Sequence, residues 1–382
     1  MHRVESSNNV NLLFAQADTW NRLASGVPFR ETFWLKPWWD RFGDSSDAYV
    51  LVARNAAGEI QGLLPLYRKA GSPRTLCNMG DNNACTDFVS ILTDPIRDPA
   101  ESIAIGNAMA RFLCKHANSE AEGWDLIEID GVSADDTVMH HFSNALGNAG
   151  SIVHAQSRMH TWFLKTEATW DEMLKSYSGR TRKKVNGYLA RLANTPGLRK
   201  EVAETQEQLD EFLNAMIELH QRRWNAVGEP GTYGDAKLRD FVIRVANEMF
   251  QAKRLYLPVL RMDGRIIGGE LCFLNEDRLY VYSNGYDLDA AELEPGRILS
   301  TVTIKHAHDQ RLRGIEFMRG DEPYKQRNGA EPTQLLQLRV VAPRWWAKAC
   351  HSAWSAQFEF KQWVRRHTGR DPAKVIDMTL TS

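Results

Sequence analysis

Short, mostly apolar runs occupy residues 49–54 and 60–68, on either side of Asn55-Ala56-Ala57-Gly58. Two strand-length runs flanking a turn tetrad predict a β-hairpin. Strand-like runs also occupy residues 10–14, 75–79, 88–92 and 126–129, while residues 103–116 and 137–146 carry helical apolar spacing. Two earlier helices are predicted, one through Trp20 and Leu23 and one opening at Phe33-Trp34 with Pro37 in its first turn. The pattern begins again after Trp162-Phe163-Leu164. Helices over 169–177, from Ser178 to Asn194, over 206–226 and over 236–252 precede strands over 255–262, 265–274 and 278–284. A helix follows Pro295-Gly296, then a strand from Gly314, a strand over 334–341 and an aromatic helix from Pro343. Each half thus reads as helices, an antiparallel meander, and a helix crossing to a further strand. The expected fold is α/β with two tandem domains, 1–165 and 166–382, each a mixed and largely antiparallel sheet flanked by helices.

Composition narrows the classes without naming a function. A chain of 382 residues exceeds what one core usually supports, and 43% hydrophobic with 25% charged residues is ordinary for a globular protein. A formal net charge of −1 excludes a globally basic nucleic-acid binder. Five cysteines, scattered and without C-x-x-C spacing, point to reduced thiols in a cytoplasmic setting and to no metal site. Neither a secretory leader nor an apolar run long enough to span a bilayer is expected. Hydrolase, kinase, zinc-protease and dinucleotide-binding signatures are missing.

Chemistry concentrates late in the chain. Residues 314–325 start as a short strand and then release Asp321, Glu322, Tyr324 and Lys325 within a few positions. Strand ends that spill polar groups into a loop are where rigid scaffolds present reactive side chains, although a solvated loop has the same composition. Adjacent carboxylates beside a lysine separate in pKa when partly buried, which would give Asp321 or Glu322 a proton-transfer or acceptor-orienting role and Lys325 that of an electrostatic clamp. Pro295-Gly296-Arg297 sits at a helix start, where free backbone N–H groups and the positive helix end suit a pyrophosphate; a plain Pro/Gly helix start reads identically. Arg180, Arg182, Lys183, Lys184, Arg191, Arg199 and Lys200 form a stretch with no acidic residue among them, suited to a polyanion or to a solvated helix face. His220 precedes Trp224 by one turn and suits a general base or a packed helix face. Tyr280 and Tyr282 share one strand face; Tyr280 is expected to pack, and Tyr282 is the candidate acid for a leaving thiolate. The tail from Trp345 to Arg366 mixes aromatics with cations, as a helix on an anionic membrane or packed on its own domain would.

Four segments carry a family resemblance: Arg180-Thr181-Arg182-Lys183-Lys184, Leu219 to Trp224, Glu294 to Leu299, and Phe317 to Lys325. Together they resemble the double-domain, acetyltransferase-like proteins of the GNAT superfamily, in the group described with cellulose and exopolysaccharide biosynthesis and related to Fem-type aminoacyltransferases. Phe33-Trp34 and residues 62–67 extend the likeness into the first half. The resemblance implies an N-acyltransferase that binds no permanent cofactor and uses acyl-coenzyme A as co-substrate. Its acceptor would be an amine or hydroxyl on a sugar or envelope precursor. It implies donor binding at Pro295, Gly296 and Arg297, and acceptor contacts from His220, Arg223, Trp224, Arg180 and Tyr324. Catalytic groups would come from Asp321, Glu322, Lys325 and Tyr282. The first half would be a degenerate partner. The superfamily's donor loop has two spaced glycines where this chain has Gly296 alone. Two other readings follow from the same residues: an aminoacyl-tRNA-dependent transferase using the basic stretch, and a non-catalytic module binding glycan, a synthase or a membrane surface through the aromatic tail.

Overall fold

In a computed structural model, residues 2–43, 47–81, 84–349 and 351–352 are described. The chain forms two compact units. Unit 1 holds Met1–Ser25, Gly43–Ser157 and Leu336–Ser382; unit 2 holds Gly26–Phe42 and Arg158–Leu335. The expectation of a single division at 165/166 thus meets units that interleave: an early helical segment belongs with the second-half elements, and the chain after Leu335 with the first.

Unit 1 begins with β1 (Arg3–Ser7), α1 (Val10–Phe14) and α2 (Ala17–Leu23). Residues 10–14 are therefore helical, not the strand their apolar run suggests. Five residues cannot establish a period, and Asn9 decides the matter by accepting the Leu12 N–H at 3.2 Å as an N-cap. The helix α3 (Thr32–Phe42) belongs to unit 2. Next come β2 (Asp47–Arg54) and β3 (Ile60–Lys69), paired antiparallel as predicted. Asn55 Oδ1 organises their turn by accepting from the backbone N–H groups of Ala57 and Glu59 at 3.0 and 2.9 Å. β4 (Thr75–Asn78) and β5 (Leu92–Thr93) follow. The strand expected over 88–92 shrinks to its last position, because Phe88 adopts φ +62° and breaks the extended run. α4 (Pro99–His116), capped by Asp98 and opened by Pro99, then crosses to β6 (Leu126–Ser133), which lies parallel to β4. α5 (Thr137–Asn148) and the first part of β7 (Ile152–Lys165) complete the unit before its C-terminal return. Leu64, Leu66, Ile105, Met109, Ile127 and Phe142 form its core between sheet and helices.

Unit 2 takes up β7 from Arg158. It continues through α6 (Trp170–Ser176), α7 (Gly179–Asn194), β8 (Leu198–Val202), α8 (Gln206–Ala226) and α9 (Ala236–Gln251). Reciprocal capping boxes start α6 (Thr169 with Glu172) and α8 (Thr205 with Gln208). The meander β9 (Leu255–Tyr256), β10 (Pro258–Met262), β11 (Arg265–Leu274) and β12 (Arg278–Tyr286) leads into α10 (Pro295–Asp309). Then come β13 (Gly314–Arg319), α11 (Pro323–Arg327) and the start of β14 (Glu331–Val341), which from Leu336 on belongs to unit 1. The sheet runs β7-β13-β12-β11-β10-β8, with only β12 and β13 parallel to one another within it. Arg199 and Lys200 lie on β8, an edge strand, rather than on the helix that carries the rest of the basic stretch; charged side chains suit such an edge.

One face of this sheet is covered by α6, α7 and α10 through Met173, Val185, Val281, Ile304, Ile315 and Phe317. On the other, Trp34 of α3 meets Phe241, Phe273 and Tyr282 edge-on at 4.9, 5.9 and 5.2 Å. α8 lies directly on β12 at Gly285, where a Cβ would come within 2.2 Å of the Met216 carbonyl oxygen; the sequence admits no larger residue at that crossing. No helix among the described residues is long and apolar enough to cross a membrane. The tail residues Trp354, Phe358, Phe360, Lys361, Trp363, Arg365 and Arg366 lie outside the described residues.

Candidate active site

The parallel pairing of β12 with β13 is short. It registers Arg278 with Gly314, Leu279 with Ile315 and Tyr280 with Glu316, and ends there, although β12 runs on to Tyr286 and β13 to Arg319. Both strands are irregular beyond that point. β12 slips against β11 so that Ser283 pairs with Leu271 and Val281 with Cys272, leaving Tyr282 as the extra residue. β13 slips against β7 between Glu316 and Arg319, with Met318 at φ +56°. Bulges re-aim side chains and interrupt pairing, and they gather beside functional clefts. The carboxyl ends of parallel strands are where α/β sheets open to ligands.

Around this opening the structure places most of the predicted residues in three groups. At the end of β13, the short helix α11 replaces the open loop expected there, and the three charged residues of the turn diverge. Asp321 Oδ1 accepts from His160 Nδ1 at 3.0 Å and from Trp162 Nε1 at 3.2 Å. Glu322, more than half exposed, pairs with Lys325 at 2.9 Å. Lys325 itself is buried, and its Nζ donates to the carbonyl oxygens of Met318, Arg319 and Gly320 at 3.0, 2.9 and 3.0 Å. Those carbonyls lie at and just after the end of β13, past the point where it leaves β12, so the ammonium closes the strand end from inside. Tyr324 is largely buried with its ring edge-on to Phe317 at 5.8 Å; burial first, then the Glu270 and Glu322 carboxylates, push its phenol up.

The second group lies at the end of α8. His220 is buried, and its Nε2 accepts from Trp224 Nε1 at 3.0 Å. Burial, helped by the Arg223 charge, moves the imidazole down to about 4, so it is neutral near pH 7. Arg223 lies over the Tyr286 ring at 4.8 Å and over Trp224 at 5.4 Å, with Nη1 at 3.4 Å from Asn284 Oδ1. Tyr286 in turn covers Gly296, where a Cβ would stand 3.1 Å from its ring.

That contact joins the second group to the third, the start of α10. Here Glu294 occupies the N-cap at φ +54° without capping through its side chain. Its carboxylate instead takes Arg297 Nε at 3.0 Å, Arg191 Nη1 at 3.3 Å and the Tyr188 hydroxyl at 3.3 Å. Pro295 supplies no N–H, and the Arg297 N–H donates to the Glu294 carbonyl at 2.9 Å. Two arginines and a helix N-terminus fit a phosphate-bearing donor, with a carboxylate of the protein's own already among them.

Two predicted residues stand apart. Tyr282 packs its ring among Phe29, Trp34 and Phe273, on the face away from α10. Arg180 is exposed in the first turn of α7, a turn without an acidic residue. Two residues not anticipated belong to the site. His160 is the partner of Asp321, but neither its spacing nor its surroundings in the sequence mark it. Glu270, in the middle of β11, is fully buried with Thr303 Oγ1 donating to it, and burial raises its carboxyl to about 7 against the opposing effect of that hydrogen bond. A glutamate interrupting the apolar run Ile266 to Leu274 was the available signal for it. Among the described residues, no cluster of His, Cys, Asp and Glu could hold a metal ion. A cavity of about 410 Å³ lies elsewhere, in unit 1, beside the ion pair of Glu128 with Arg339 and beneath Trp346.

Residues 179–326 match the family model described as an acetyltransferase (GNAT) domain. No curated protein matches the chain. Among solved structures, FemX is similar at 13% identity over 88% of this chain and 96% of its own, with a TM-score of 0.58. A conserved protein of unknown function from Bacteroides thetaiotaomicron is similar at 13% identity, 89% and 100% coverage, and a TM-score of 0.56. So is the C-terminal domain of a putative lysylphosphatidylglycerol synthetase from Agrobacterium fabrum, at 11% identity, 90% and 96% coverage, and a TM-score of 0.51. At such identities the likeness is one of fold. From the start of α7 into α11, the span that builds the parted strands and their three residue groups, the chain matches the acetyltransferase (GNAT) domain family.

Proposed function

We infer that unit 2 is an N-acyltransferase that transfers an acyl group from acyl-coenzyme A to an amine on a sugar or envelope precursor. The observation that carries this reading is the parting of β12 from β13 beyond Tyr280 and Glu316, at the end where α10 presents its N-terminus. A thioester laid between the strands lies against their parted backbones, and its phosphates meet the start of α10 with Arg191 and Arg297. The reaction needs an acid for the departing thiolate. Tyr324 suits it better than Tyr282, because Tyr324 borders Phe317 on the α10 face while Tyr282 is committed to the aromatic packing opposite. Lys325 holds the end of β13 in its parted shape. His220, neutral and accepting from Trp224, orients that indole and with Arg223 lines the mouth on the α8 side.

The purified chain incubated with acetyl-coenzyme A and a panel of amino sugars is expected to release thiol. Tyr324→Phe is expected to lower kcat by about a hundredfold with little change in unfolding midpoint. No thiol release with any acceptor, together with no calorimetric binding of acetyl-coenzyme A, would overturn the assignment.

A second reading keeps the fold and changes the donor. Glu294 already engages both arginines at the α10 start, while Arg180, Arg182, Lys183 and Lys184 stand exposed on the first turns of α7. An aminoacyl-tRNA donor would use that basic turn, and its binding would weaken steeply with salt. Competition of the donor by free coenzyme A selects the first reading, and salt-sensitive tRNA binding without such competition selects the second.

A further inference from the structure

Alternation along β7 sorts its side chains onto two faces. Thr161 is buried towards Glu316, its Oγ1 3.5 Å from Glu316 Oε2. Glu316 meets Arg278 Nη1 at 2.5 Å on that same face. His160 and Trp162, one position to either side, therefore face the other way. Trp162 belongs to the cluster of Val281, Ile304 and Phe317, and Tyr324 packs on Phe317. His160 is thus placed on the face of the candidate acid. It also lies level with the end of β13, since Arg319 registers with Thr161 and the Gly320 N–H donates to the His160 carbonyl at 3.2 Å. That is the end at which β13 has left β12.

The ring of His160 is not free to choose its tautomer. A carboxylate only accepts, so the 3.0 Å contact with Asp321 Oδ1 requires the proton on Nδ1. Trp162 Nε1 donates to the same oxygen at 3.2 Å, which fixes the carboxylate and through it the plane of the imidazole. Nε2 is left with its lone pair, on a side chain about one-third exposed. A histidine held this way by a carboxylate is a poised proton acceptor.

We propose that His160 is the catalytic base that takes the proton from the acceptor amine, and that Asp321 is the positioning residue that holds it for that task. The proposal rests on the acyl-transfer reading above and assigns to it a residue on β7. The amine nitrogen attacks the thioester carbonyl carbon, a C–N bond forms and the C–S bond breaks. The nitrogen's proton passes to His160 Nε2, the thiolate takes a proton from the Tyr324 hydroxyl, and water returns both side chains to their starting states.

The test uses the full chain, acetyl-coenzyme A, and the amino sugar that gives most thiol release. His160→Ala is expected to lower kcat/KM by about a hundredfold, and added imidazole to restore part of it in proportion to its concentration. Asp321→Asn is expected to lower kcat about tenfold at unchanged KM, with Asp321→Glu recovering most of the loss. Recovery by imidazole separates a missing base from a disturbed fold, which a small base cannot repair. Wild-type activity that survives in His160→Ala, or a loss that imidazole leaves untouched, overturns the base while leaving acyl transfer standing. A wild-type chain that releases no thiol overturns both.

Discussion

Units 1 and 2 run the same course, a meander followed by a helix that crosses to a strand parallel to the meander's last. In unit 1 the parallel pair is β4 with β6, registered Thr75 to Leu126, Leu76 to Ile127 and Cys77 to Glu128. In unit 2 it is β12 with β13, again over three registered pairs. What happens past the third pair separates them. In unit 1 the protein bridges its own gap: the Asp130 N–H donates to Asn78 Oδ1 at 3.1 Å, and the Val89 N–H donates to the Gly131 carbonyl at 3.0 Å. In unit 2 the carbonyls at the end of β13 and of Gly320 beyond it are gathered from inside by Lys325, and the strands stay parted. One arrangement closes the gap with the chain itself, and the other secures its edge and leaves it open. The contrast teaches that two units of one topology can differ in how a few backbone groups are satisfied.

Replacing the inner ammonium tests that contrast most severely. Lys325→Met strands three carbonyl oxygens in a buried site and is expected to destabilise unit 2 by about 4 kcal/mol, read as a lower denaturant midpoint. A shift under about 1 kcal/mol would mean that water satisfies those carbonyls and that Lys325 does not hold the opening.

Glu270 gives the next largest effect, through pH. Its folded-state pKa is raised, so the folded protein binds the proton more tightly than the unfolded chain does. The associated stability is fully present below the unfolded value near 4.5 and is lost as pH rises through about 7. Over that window unit 2 is expected to lose on the order of 3 kcal/mol, and Glu270→Gln to abolish the dependence. A Glu270→Gln profile that still falls over the same window would place the titrating group elsewhere.

Asn78→Ala removes the unit 1 bridge and leaves the Asp130 N–H without its partner, at a cost of about 1–2 kcal/mol. Acyl transfer by unit 2 is expected to continue at the wild-type rate; a parallel fall in activity would mean that closure of the unit 1 gap matters to the chemistry.

The smallest effect concerns Glu294, whose carboxylate pairs with Arg191 and Arg297 and, under the acyl-coenzyme A reading, would compete with the donor phosphates for them. Glu294→Gln is expected to tighten acetyl-coenzyme A binding about threefold, measured by calorimetry, because exposed ion pairs are worth under about 1 kcal/mol. Weaker binding in the variant would make Glu294 part of the site's framework.

Much of this architecture could be read along the chain. The β2–β3 hairpin, the long helices α8 and α9, and the strand of Gly314 each carry a turn signal, an apolar period or run, or a capping box, and local signals of that strength survive into the fold. The Asp321–Lys325 turn was legible as a place of chemistry because charge and turn residues crowd there. Its division of labour was not. Lys325 reads as a clamp for a ligand until the structure shows three backbone carbonyls around it, and nothing local distinguishes a lysine that will be buried from one that will be solvated. Tyr282 reads as a candidate acid near a strand end, and only the tertiary packing commits it, together with Tyr280, to the Phe29 face opposite α10.

The sequence by itself determined most of the elements and their order, the repeat of one course in two halves, and the crowding of polar groups after β13. Tertiary structure alone decided which groups meet, because contacts such as that of His160 with Asp321 join residues 161 positions apart, where no periodicity reaches. It likewise decided where the units divide, since Gly26–Phe42 buries its aromatic face against strands more than two hundred residues later. The stretch from Gly314 to Lys325 announces chemistry in its composition. Its histidine partner, its buried ammonium and the parted strands beside it exist only once the sheet has formed.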